Sequence, residues 1–85
     1  MSNQKNSNLK YEYNKDLDVL YITLESSKDS YGHEDDYGVI LNYDYATKQL
    51  VGVDIWDFRS KIEKNVIIPL PFSIDLKQIY QAITV

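Results

Sequence analysis

The sequence contains no cysteine, and that absence removes disulfide frameworks, thiolate nucleophiles and every zinc or iron–sulfur site built on thiolates. It has a single histidine, so metal centres assembled from several imidazoles are excluded as well. Only two prolines and three glycines interrupt its 85 residues, too few for a linker or a low-complexity tract. There is no glycine-rich phosphate loop, no serine with an evident histidine partner and no lysine in an apolar setting. Basic residues are the minority, 9 against 13 acidic ones for a net charge of −4, which opposes attraction to a nucleic-acid backbone. The longest apolar stretch, Val66 to Phe72, is broken by Pro69 and Pro71 and falls far short of the roughly 20 residues that span a bilayer. Residues Met1 to Asn8 hold nothing apolar after the methionine and so lack the apolar core of a secretory signal. The expectation is a cytoplasmic protein without membrane or nucleic-acid partners, with a disordered tail over residues 1–8 and a single domain over 9–85.

What the chain does contain is enough to fold. Leu, Ile, Val and Phe exceed a quarter of the residues, above the level of about one-fifth at which disorder becomes the default. Tyrosine is the excess, 8 residues against 1 tryptophan and 2 phenylalanines. Much of the large apolar surface therefore carries a hydroxyl that must reach water or a partner.

From Leu9 to Ile55 the apolar residues recur with a period of two, the mark of half-buried strands. Leu9, Tyr11 and Tyr13 form one row, and Asn14, Lys15 and Asp16 supply turn chemistry. Val19 to Leu24 is apolar at nearly every position, so both of its faces are covered. Val39, Leu41 and Tyr43, then Val51, Val53 and Ile55, give two further strands around a turn at Tyr45 to Gln49. The polar stretch Glu25 to Asp36 shows neither period and reads as a loop. Gly52 in mid-strand signals a bulge or a tyrosine ring laid across bare backbone, the second being preferred. Beyond Ile55, Asp57 or Ser60 can cap a short helical turn carrying Phe58 and Ile62. Ser73 reads as the N-cap of a C-terminal helix whose apolar face is Leu76, Ile79, Tyr80 and Ile83. The predicted fold is α+β: an antiparallel meander of about four strands packed with a C-terminal α-helix.

Two segments, YNKDLDVLYITL over Tyr13 to Leu24 and GVILNYDYATKQLVGVDI over Gly38 to Ile55, resemble the short bacterial and archaeal proteins grouped as domain of unknown function 2283. The resemblance spans residues of about 8 to 62. It rests on Tyr13, Asp18, Leu20 to Ile22, Gly38 to Ile40, Tyr43, Asp44 and Val51 to Ile55, with Asp54 where that family usually carries Glu. After the last strand this chain has Trp56, Asp57, Phe58 and Arg59, where the family continues as Leu-Asp-Ala-Ser or similar. The resemblance implies an antiparallel sheet in a small α+β protein and supplies no activity. Some relatives look like partners of small toxin-like proteins, which implies an antitoxin-like binding role as one reading.

Three constellations carry chemical possibilities. His33, Glu34, Asp35 and Asp36 combine an imidazole with carboxylates and could hold a divalent cation. Neighbours on an extended loop point in different directions, however, which favours a solvated acidic loop. The pairs Asp16 with Asp18 and Asp54 with Asp57 offer acid–base chemistry; their simpler roles are shaping a turn, ending a strand and capping a helix. Tyrosines on several strands resemble a base-stacking platform, but Asp29 to Asp57 carries seven acidic side chains against the single base Lys48. A protein interface fits that balance better, and Tyr31, Tyr37, Tyr45, Trp56, Phe58 and Arg59 are its candidate members. The favoured function is a non-enzymatic protein-interaction module that self-associates and needs no cofactor. The alternatives are an antitoxin-like inhibitor of a small basic protein and a small metal-assisted hydrolase using the acidic loop.

Overall fold

A computed structural model describes residues 10–84; the expected N-terminal tail and Leu9 lie outside them. Five strands, β1 Lys10–Asn14, β2 Val19–Thr23, β3 Ser30–Glu34, β4 Val39–Asp44 and β5 Leu50–Trp56, are followed by α1 Phe58–Glu63 and α2 Leu76–Ile83. All neighbours pair antiparallel. The strand order is β1-β2-β5-β4-β3. The β1–β2 hairpin and the β3–β4–β5 meander thus join through the β2–β5 pairing, with a crossover between β2 and β3. The α+β antiparallel class is as predicted. The simple four-strand meander is corrected by β3, which lies inside the stretch read as a loop.

Each tight turn is held by one short polar side chain that accepts backbone N–H groups just ahead of it. Asn14 Oδ1 accepts from Leu17 at 3.0 Å. Asp35 Oδ1 accepts from Tyr37 at 2.7 Å and Val39 at 3.1 Å. Asp44 Oδ2 accepts from Ala46 and Thr47, both at 2.9 Å. Two of the acidic residues that looked like free charge are therefore turn formers. Left-handed backbone at Asp18, Gly38 and Lys48 completes the three turns.

The core lies on one face of the sheet. Cross-strand rows align Tyr13, Leu20, Ile55 and Val39, and in the next row Tyr11, Ile22, Val53 and Leu41. Leu20, Ile22, Val39, Val53 and Ile55 are buried there with Phe58 of α1 and Ile79 of α2. Leu76, Tyr80 and Ile83 pack on the same cluster, as the helical spacing predicts, and so do Ile68, Leu70, Phe72 and Ile74 of the segment between the helices. The N-cap of α2 is Asp75, whose Oδ1 accepts from Gln78 at 3.1 Å, and not Ser73.

Gly52 sits beside a bulge. Asn42 pairs with Gly52 but Tyr43 pairs with Leu50, leaving Val51 as the extra residue. A Cβ on Gly52 would meet the Ile22 carbonyl oxygen at 2.9 Å, and its other close neighbours belong to Asn42. Backbone crowding, and not an overlying tyrosine, is what requires glycine there. Among the described residues no helix is long and apolar enough to cross a membrane.

Candidate functional site

The six interface candidates do not form one patch. Phe58 is fully buried in the core, because α1 turns its first residue inward against the Tyr13 ring, 6.3 Å away edge to face. Phe58 is thereby removed from the candidate interface. Tyr31 and Tyr45 stand at the far end of β4, their ring centroids 4.9 Å apart, with Tyr43 stacked on Tyr31 at 5.7 Å. Lys48 Nζ lies 5.5 Å from both the Tyr31 and Tyr45 rings, so this aromatic group already has a cation from its own chain. Tyr37 and Trp56 occupy the opposite end of β4. The Trp56 N–H donates to the Gly38 carbonyl at 2.9 Å, and the side chains of Tyr37 and Trp56 are 55% and 41% exposed.

Around Trp56 both charge signs are present. Lys61 Nζ donates to the Trp56 carbonyl, and Lys61, Lys64, Asp57 and Val66 line one hollow of about 410 Å³ beside it. Ile67, next in the chain, is 80% exposed. Arg59 is turned elsewhere: its Nε donates to Glu63 Oε2 at 3.0 Å. The Tyr80 hydroxyl donates to the same oxygen at 2.8 Å. These two hydrogen bonds hold the Glu63 carboxyl below its ordinary range.

The acidic loop is dispersed. His33 and Glu34 are successive residues of β3 and project to opposite faces of the sheet, while the Asp35 carboxylate is engaged in its turn. Among the described residues no group of three or more His, Asp or Glu side chains is placed to hold a metal ion.

The most connected carboxylate is Asp18. Its Oδ1 accepts from the Tyr13 hydroxyl at 2.7 Å and the Arg59 N–H at 2.8 Å. Its Oδ2 accepts from the Ser60 N–H at 3.3 Å and the Ser60 hydroxyl at 3.2 Å, and its backbone carbonyl takes the Phe58 N–H at 3.1 Å. The first three N–H groups of α1 are thus satisfied by one residue from the β1–β2 turn. Asp57, at the N-cap position with φ of 55°, makes no side-chain cap. Burial pushes the Asp18 carboxyl up, but the hydrogen bonds from Arg59, Tyr13 and Ser60 outweigh it and leave the group below its usual range. Asp18 shapes its turn through left-handed backbone and not through the side-chain bonds expected from its pairing with Asp16. It is a cap acting across the fold.

Among the described residues no helix packs on the face of the sheet opposite α1 and α2, although Val19, which alternation places on that face, is fully buried. One row across all five strands reads Glu12, Tyr21, Asp54, Ile40 and Glu34. The next row, Lys10, Thr23, Gly52, Asn42 and Gly32, holds two glycines. A shallow depression of about 440 Å³ lies beside Gly52 of this row, lined by Tyr21, Thr23, Asn42, Asp54, Glu25 and Ser27. Asp54 Oδ1 accepts from Asn42 Nδ2 at 3.2 Å. Partial burial raises the Asp54 carboxyl above its ordinary value despite that bond. Sequence reasoning missed this depression, since its members come from strands whose order alternation does not reveal.

No match is found among the curated proteins or among the solved structures. Residues 10–59 match the model of a family described as protein of unknown function, DUF2283. That span begins at the first strand, contains the Tyr13–Asp18 cap and the Gly52 bulge, and ends on Arg59, whose N–H Asp18 receives. It covers more than half of the chain, and on that match the chain belongs to the DUF2283 family.

Proposed function

We propose that the protein is a non-enzymatic interaction module that self-associates through the end of the molecule carrying Trp56. The observation that supports this reading is the composition of that end. Trp56 is exposed and its carbonyl accepts from Lys61, which lines a hollow with Asp57, Lys64 and the exposed Val66. A twofold dimer brings the same patch against itself. A patch holding both signs around an apolar centre can satisfy that symmetry, with the base of one copy meeting the acid of the other. Exposed ion pairs contribute little each, so the indole and its apolar neighbours supply most of the stability.

Size-exclusion chromatography with light scattering tests the proposal. The wild-type chain elutes at twice its monomer mass at high micromolar concentration, and Trp56→Ser elutes as a monomer with unchanged circular dichroism. A wild-type monomer under these conditions, or a Trp56→Ser dimer, overturns it.

A further inference from the structure

We infer that the sheet face opposite the helices is a docking surface for an arginine-bearing segment of another protein, with one guanidinium seated in the depression between Tyr21 and Asn42 against Asp54. This goes beyond self-association at Trp56 and involves different residues, although both lie on the same side of the sheet.

Charge decides the kind of occupant. The strand residues of this face carry Glu12, Asp54 and Glu34 in one row, and the single base among them is Lys10 at the outer edge. A second copy laid on this face would set one acidic row on another, an arrangement that costs several kcal/mol in protein interfaces. A basic partner meets no such cost.

The depression itself favours guanidinium. Among the described residues Asp54 has Asn42 as its one side-chain partner, through Oδ1, and it lines the hollow with its Oδ2 taking no side-chain donor. The Thr23 and Ser27 hydroxyls and the Glu25 carboxylate add further acceptors around the same space. Tyr21, paired with Asp54 across the strands, is the aromatic residue of the lining. A planar cation with five N–H donors can stack on that ring while donating to several acceptors, which a compact ammonium does less well. Gly52 also lines the hollow.

The test is a titration of the ¹⁵N-labelled chain with N-acetylarginine amide, followed by NMR. The Gly52 N–H, the Asn42 side-chain amide and the Thr23 N–H shift saturably, with a Kd of about 1 mM. The uncharged isostere N-acetylcitrulline amide binds at least about tenfold more weakly, a difference of about 1.4 kcal/mol. Asp54→Asn abolishes the difference between the two probes. Tyr21→Leu, which leaves the Asp54–Asn42 pair in place, weakens arginine binding and serves if Asp54→Asn fails to fold. Equal shifts with the citrulline probe, equal binding of N-acetyllysine amide, or no shift at several times the expected Kd overturns the inference. Repeating the titration on Trp56→Ser separates it from self-association: the arginine shifts persist whether or not that variant is monomeric.

Discussion

Asp18 and Arg59 stand 41 positions apart in the chain, yet the Arg59 backbone N–H donates to Asp18 Oδ1 at 2.8 Å. With Ser60 and Phe58 bonded to the same residue, the β1–β2 turn becomes the cap of α1. This places Phe58 over the sheet. At its other end α1 closes on itself: the Asn65 N–H, in left-handed backbone, donates to Ile62 and the Val66 N–H donates to Lys61.

Replacing Asp18 with Ala removes the acceptors of the Arg59 and Ser60 N–H groups and of the Tyr13 and Ser60 hydroxyls, while its backbone carbonyl still takes the Phe58 N–H, and destabilises the protein by about 1–3 kcal/mol. The contribution is also pH-dependent. Because the folded carboxyl titrates below the unfolded value of about 3.9, this stability is present above that value and fades as pH falls through the folded one. Denaturant melts at stepped pH check it: wild type loses stability in acid, and Asp18→Asn shows a smaller acid dependence.

Tyr13 gives the matching test in base. Burial, then its hydrogen bond to Asp18, pushes the phenol up to about 12. A raised folded value means the contribution is complete below the unfolded value of about 10 and is lost as pH rises toward 12. Absorbance titration at the phenolate band resolves a tyrosine ionising at about 12. Tyr13→Phe removes that step and flattens the alkaline loss of stability.

Phe58→Ala empties a fully buried site under α1 and costs about 3–5 kcal/mol. Thermal melts followed by circular dichroism show the loss directly. An effect on association without a large drop in Tm would contradict its placement in the core.

Gly52→Ala forces a methyl against the Ile22 carbonyl at 2.9 Å. Since the obstacle is backbone in a central strand pair, the sheet must shift, and the variant loses about 1–3 kcal/mol. Chemical denaturation measures this.

What the sequence revealed follows from which residues are buried. β2 and β5 are the middle strands of the core, and their dense apolar runs announced them. α2 was legible from Leu76, Ile79, Tyr80 and Ile83, all of which pack inward. β3 was not, because Ser30, Gly32, His33 and Glu34 are exposed on an edge and carry no apolar alternation to detect. The order β1-β2-β5-β4-β3 escaped for a related reason: alternation marks which face is buried but not which strand lies next. Tyr31, Tyr37, Tyr45 and Trp56 were found as aromatics near turns, but only the pairing register separates them to opposite ends of β4. The Asp18 cap depends on a contact 41 residues distant, which no local pattern encodes.

Trp56 is the single tryptophan, so its fluorescence reports directly on the surface assigned to self-association. Emission measured from low to high micromolar concentration shifts to shorter wavelength and becomes less accessible to iodide as the indole is covered. An emission maximum and quenching constant that stay fixed and solvent-exposed across that range would contradict the assignment of Trp56 to an interface between two copies.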